Sequence, residues 1–158
     1  MTIRIVNRSE KKEIARMLEE QFGINEIPGE IVAIGRERLF LFLGSLEEEG
    51  IKKLESITII ERVGAYFAKI TDDKGVRRIR LSIEGTQMLK KQIKKNILEI
   101  SEKDAEEWMK GHELYIKTGK RDFLIMKHND DFLGTGKASE NKIGNFIPKS
   151  RRLREKSN

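Results

Sequence analysis

Residues 132–153 read FLGTGKASENKIGNFIPKSRRL. The stretch opens on Gly134-Thr135-Gly136-Lys137-Ala138-Ser139, which has the outline of a phosphate-binding loop. It closes on Pro148-Lys149-Ser150-Arg151-Arg152, a basic cluster. A phosphate loop of the form G-x-x-x-x-G-K-[ST] needs Gly five residues before its second Gly, and Ser or Thr directly after its Lys. Those two places hold Asp131 and Ala138. The Gly-Lys pair also lies in a strand-like run with no helix after it, so the amides of a helix N-terminus cannot be aimed at a phosphate. Nucleotide hydrolysis by this route is excluded. The glycines then need a structural reason. Within a strand, Gly marks a bulge, a bend or a close backbone approach, and small β-barrels need such corners. Lys137 is left to face ligand or solvent.

Charge supplies the next constraint. The chain of 158 residues is 37% charged, against a usual fraction of about 25%. Its Lys, Arg and Glu content resembles that of thermophile proteins. Residues 1–85 balance 15 basic against 15 acidic side chains, whereas residues 86–158 hold 17 against 11, so the net charge of +6 belongs to the second half. Lys142, Lys149, Arg151, Arg152, Arg154 and Lys156 face one acid, Glu155, within residues 141–158. A concentrated basic segment on a folded domain favours a polyanion. A solvated basic tail is the plainer alternative.

Upstream, residues 2–6 read as a strand. Ser9 is expected to cap a helix through about Gln21, with Ile14, Met17, Leu18 and Phe22 on one face and Gly23 as its stop. Residues 31–34 and 39–43 form a hairpin around Gly35-Arg36-Glu37-Arg38. Ser45 heads a second helix over about 46–55. Strands follow at 57–61, 65–70 and 76–83, the last two joined at Asp72-Asp73-Lys74-Gly75. In the last strand Ile79, Leu81 and Ile83 alternate with Arg78, Arg80 and Ser82, and the arginines are read as a solvated face. A helix over 84–92 runs into four lysines, and the domain boundary is placed there, giving domains 1–92 and 93–158.

The second domain opens with a strand at 97–100. Ser101-Glu102-Lys103-Asp104 is a capping box, Ala105, Trp108 and Met109 form an inner helical stripe, and Gly111 ends the helix. Strands are expected at 113–116, 123–127, 132–138 and 143–147. One short helix among short strands implies a small β-barrel with a helical plug. Phe146 is read as core, with stacking on a base as the alternative.

Catalytic chemistry finds little purchase. The chain has no cysteine, which excludes disulfides, thiolate zinc sites and cysteine nucleophiles. His112 and His128 are isolated and read as surface residues. The apolar runs fall well short of the roughly 20 residues that span a bilayer, and the N-terminus reads TIRIV rather than a signal segment. The expectation is a soluble, cytoplasmic protein without a cofactor or metal.

Ile100-Ser101-x-x-Asp104-Ala105-x-x-Trp108-x-x-Gly111 resembles the start of a PUA-type RNA-binding domain. Leu133-Gly134-x-Gly136-Lys137-x-Ser139, followed by Lys142-x-x-Asn145-x-x-Pro148-Lys149-x-x-Arg152, resembles the C-terminal PUA-like domain of the Fmu/Sun-type (NOL/NOP/Sun) RNA cytosine methyltransferases. The first half is similar in element order to the pre-PUA domain of the Nip-seven ribosome-biogenesis family, notably over 31–43 and Arg80-Leu81-Ser82-Ile83. The methyltransferases carry an S-adenosylmethionine domain and catalytic cysteines that this chain lacks. The resemblance therefore implies their RNA-binding module without their chemistry.

The fold expected is α+β, a mixed α/β pre-PUA domain followed by a PUA-like β-barrel. The function expected is non-catalytic RNA binding, of rRNA or tRNA, in ribosome biogenesis or RNA modification. Lys137, Lys142, Lys149, Arg151, Arg152 and Arg154 are the candidate phosphate contacts. The alternative is an adaptor whose N-terminal domain docks on an RNA-modifying enzyme or assembly factor and delivers RNA in trans. A membrane is not expected as a partner.

Overall fold

A computed structural model describes residues 3–43 and 64–154. The chain divides into two compact units, Met1–Lys95 and Asn96–Asn158. The helix expected over 46–55 and the strand over 57–61 lie outside the described residues, as does Lys156.

In the first unit the order is β1 (Ile3–Ile5), α1 (Arg8–Phe22), β2 (Gly29–Ile34), β3 (Arg38–Leu43), β4 (Ala65–Asp73), β5 (Val76–Leu81) and α2 (Ile83–Met88). The five strands pair antiparallel in chain order. The cap of α1 is Asn7 rather than Ser9. Asn7 has extended dihedrals and its Oδ1 accepts from the Glu10 amide at 2.9 Å, so the helix starts at Arg8 and Ser9 falls inside its first turn. Ile14, Met17, Leu18 and Phe22 are buried as the spacing requires, and Gly23 ends the helix at φ 74°. Gln21, also buried, donates its amide to Ile79 O at 2.9 Å and accepts from Ile79 N at 2.8 Å. It satisfies both main-chain groups of a residue on β5, where no neighbouring strand among the described residues does so.

The β4–β5 turn places Lys74 and Gly75 at φ 53° and 84°, a left-handed pair that suits the strands' twist. Asp72 Oδ1 accepts from the Gly75 amide at 2.9 Å. The strand does not run on to Ile83. Ser82 is extended, takes the Gly85 amide on its hydroxyl at 2.9 Å, and starts α2 instead. Gly85 lets that helix rest on β4, because a Cβ there would stand 2.1 Å from Phe67 O. The helix expected over 84–92 is split into α2 and a 3-10 turn, Lys90–Gln92.

The second unit runs β6 (Ile97–Glu99), α3 (Glu102–Met109), β7 (Phe123–His128), β8 (Asp131–Ala138) and β9 (Ile143–Asn145), then a 3-10 turn, Lys149–Arg151. Its sheet has the order β6-β7-β8-β9. β6 and β7 are parallel with α3 between them, and the other pairs are antiparallel. Ser101 caps α3 by accepting from the Asp104 amide at 3.1 Å. Trp108 is fully buried and Ala105 nearly so, but Met109 is only half-buried. The strand expected over 113–116 reduces to one bridge, Leu114 to Ile143. The strand expected over 143–147 stops at Asn145, whose Oδ1 takes the Ile147 amide at 2.8 Å and turns the chain. Among the described residues no helix is long and apolar enough to cross a membrane.

Candidate nucleic-acid interface

The site grows from the two glycines of β8. Ile125 pairs with Thr135 and Lys127 with Phe132, so Met126 faces both Leu133 and Gly134. This is a β-bulge, and Gly134 adopts the φ of 82° that a glycine bulge uses. At the bulge Leu133 O is open to a side-chain donor, and it accepts the indole N–H of Trp108 at 2.8 Å. Gly136 serves the second purpose expected of it, close approach. A Cβ there would lie 2.4 Å from Ile143 and 2.8 Å from the Trp108 ring. The glycines thus seat one buried tryptophan rather than a phosphate.

Around that anchor, side chains fasten the end of α3 to the last segment of the chain. Asn145 Nδ2 donates to Trp108 O at 2.8 Å and to His112 O at 3.0 Å. Leu153 N donates to Met109 O at 2.8 Å. Arg152 Nε donates to Ile147 O at 2.9 Å, and its side chain crosses Gly111, where a Cβ would meet that nitrogen at 2.3 Å. Gly111, at φ 91°, therefore satisfies both a left-handed turn and a close contact.

An open groove of about 420 Å³ lies beside this joint, lined by Gly111, Glu113, Lys137, Ser139, Lys142, Gly144, Asn145 and Phe146. Lys142 Nζ bonds Glu113 at 2.8 Å, and that hydrogen bond, followed by the charge of Glu113, raises the Lys142 pKa above its ordinary 10.5. Lys137 Nζ donates to Arg121 O at 3.2 Å and sits 4.9 Å from the centre of the Phe123 ring. Phe146, expected in the core, is 39% exposed and meets Phe123 edge-on with centroids 6.1 Å apart. It lies just past the end of β9, where the chain has already turned.

Of the six cations singled out from sequence, Lys137 and Lys142 share the groove, and Arg152 spans the glycine that forms one of its walls. Lys149, Arg151 and Arg154 are exposed on the segment beyond β9 and do not line it. A second groove, of about 690 Å³, adjoins the first and shares Gly111 and Glu113 with it; Asp104, Glu107, His112 and Tyr115 also line it. There Glu107 hydrogen-bonds His112 and lies near Lys110. These partners, His112 first, hold its carboxyl below the usual 4.5 despite some opposing desolvation. Sequence reasoning passed over Tyr115. Its signal is the alternation in Glu113-Leu114-Tyr115-Ile116, where a buried Leu114 puts the tyrosine outside. His128 bonds Ile100 O at 3.0 Å, and among the described residues no three potential ligands gather to hold a metal.

A glycine-shaped sheet bearing a basic, aromatic-edged groove has the charge and ring content expected of a nucleic-acid-binding surface. Residues 95–153 match the family model described as Methyltransferase RsmF PUA domain. The unit is thus PUA-like, as its likeness to the Sun-type enzymes implied, and this class supports a general role in binding RNA. No curated protein matches the chain significantly.

Proposed function

We propose that this chain is a non-catalytic RNA-binding protein of ribosome biogenesis or of rRNA or tRNA modification. Its first unit acts as a pre-PUA domain and its second as a closed PUA-like barrel. The match over residues 95–153 carries this reading. The basic groove and the exposed cations beyond β9 support it, because Lys and Arg that neutralise phosphates release counterions and so give salt-dependent affinity. Lys137 and Lys142 contact the backbone from the groove, and Lys149, Arg151 and Arg154 extend that surface. Arg152 adds its charge while also holding the joint at Gly111. The reading as a binding protein is supported by the absence of a cysteine of the kind the methyltransferases use as nucleophile.

The test replaces Lys149, Arg151 and Arg154 together by Ala and leaves Arg152 in place. RNA affinity should fall, and the slope of log K against log salt should become shallower by about 2, at roughly 0.7 for each single-strand phosphate that is no longer neutralised. Unchanged affinity with an unchanged slope overturns the assignment.

A further inference from the structure

The chain has ten aromatic side chains, seven Phe, two Tyr and one Trp, and every one lies among the described residues. Seven are buried and Tyr66 is half-buried. Only Tyr115, at 83%, and Phe146, at 39%, are exposed. They line the two adjoining grooves, which share Gly111 and Glu113 as a common wall.

Both rings stand on fixed backbone. Leu114, the residue before Tyr115, is tied to Ile143 by two main-chain hydrogen bonds of 3.2 and 2.7 Å. Phe146 is bracketed by Asn145, with its hydrogen bonds to Trp108 O and His112 O, and by the Ile147 amide bonded back to Asn145. An aromatic ring held in this way can stack on a base with little further loss of freedom.

Charge divides the two grooves. Lys137 and Lys142 flank Phe146, Asp104 and Glu107 stand in the groove of Tyr115, and Glu113 lies on the wall the two grooves share. The carboxylates repel phosphate but accept hydrogen bonds from exocyclic amino groups of bases. The Tyr115 groove therefore suits a base whose own backbone lies over the lysines. In a duplex the base faces are already stacked and phosphates flank both strands, so neither ring could be used.

Resting on the reading of the second unit as an RNA-binding domain, we infer that its ligand is an unpaired stretch of RNA. Its bases stack on Phe146 and Tyr115 while its phosphates meet Lys137 and Lys142.

The full chain should be titrated with an unpaired RNA of about 12 nucleotides, within the range of single-strand site sizes, and with a blunt duplex of the same sequence. The unpaired form should bind at least about tenfold more tightly. Tyr115→Ala with Phe146→Ala should remove that preference, since each stacked base contributes roughly 5- to 150-fold. Duplex affinity and the salt slope should stay unchanged. Tyr115→Phe and Phe146→Tyr keep the rings and should keep the preference, and near-ultraviolet circular dichroism from buried Trp108 checks folding in each variant. Equal or tighter binding of duplex overturns the inference, as does a double variant that binds unpaired RNA like the parent; either result leaves RNA binding itself standing. Failure to bind both forms overturns the RNA reading and this inference with it.

Discussion

Both units pair charges at their surfaces, but they put their polar side chains to different uses. In the first, Arg4 pairs with Glu10, Arg77 with Glu13 at 2.7 Å, Arg16 with Glu20 at 3.0 Å and Lys69 with Glu37 at 3.3 Å. All of these pairs are substantially exposed, and such pairs contribute about 0–1 kcal/mol each. They neutralise part of a unit that still holds 19 basic against 15 acidic side chains. The second unit likewise pairs Lys110 with Glu106 and Glu107, and Lys127 with Glu99, while Lys149 and Arg154 meet no carboxylate among the described residues and Lys142 meets one that also walls the groove. The polar bonds inside the units differ. Gln21 closes the edge of a sheet, whereas Asn145 and Arg152 close a joint beside a groove. The first unit uses its polar side chains to finish a sheet, and the second uses them to fasten the joint beside its groove.

The comparison is tested hardest at the anchors. Trp108→Ala removes the largest fully buried side chain and the indole bond to Leu133 O, and should cost about 3–5 kcal/mol. Gln21→Leu keeps much of the volume but strands the amide and carbonyl of Ile79, and should cost about 1–3 kcal/mol. Denaturant unfolding measures both, and amide exchange locates them, in β7 and β8 for the first and at Ile79 for the second. The tryptophan variant should also lose RNA binding. If the glutamine variant loses as much, the division of labour between the units is wrong.

These anchors also mark what the sequence could and could not tell. The face of α1, both hairpins and the capping of α3 by Ser101 follow from spacing and local chemistry, and they were legible. So was the use of Gly134 and Gly136 as bulge and close approach, since the absence of a following helix excluded the phosphate loop. The start of α1 differs by two residues from the one expected because Asn7 and Ser9 are both good caps, and only the dihedrals separate them. The early end of β9 depends on Asn145, whose partners Trp108 and His112 lie 37 and 33 residues away in the chain. Phe146 is exposed for the same reason. Bonds between residues so distant in sequence leave no mark in a local pattern.

A smaller effect is expected at the wall between the grooves. Glu113 occupies Lys142 with a 2.8 Å bond and sets a negative charge where the lysine would meet phosphate. Glu113→Gln frees the cation and removes the charge, so RNA affinity should rise a few-fold at low salt, with the gain fading as salt is added. Anisotropy titrations at two salt concentrations measure this. A fall in affinity would mean that the pair positions Lys142 for its ligand instead of competing with it.

The smallest effect should come from Glu107. Its carboxyl is held below the ordinary 4.5, chiefly by the hydrogen bond with His112 and then by the charges of Lys110 and His112. A carboxyl with a depressed folded pKa stabilises the native state above its unfolded pKa, and that stability is lost as pH falls through the folded value, because the unfolded chain takes up the proton first. Parent and Glu107→Gln should therefore differ at neutral pH, with the parent more stable, and their unfolding midpoints should converge as the pH drops below about 4.5. Lys142 is the mirror case. Its raised pKa contributes fully below 10.5 and is lost as pH rises through the folded value, so Lys142→Met should converge with the parent only at the alkaline end. Both groups are open to solvent, so added salt should shrink both differences. A Glu107 difference that persists unchanged to acid pH would mean that the side chain acts through packing rather than through its charge.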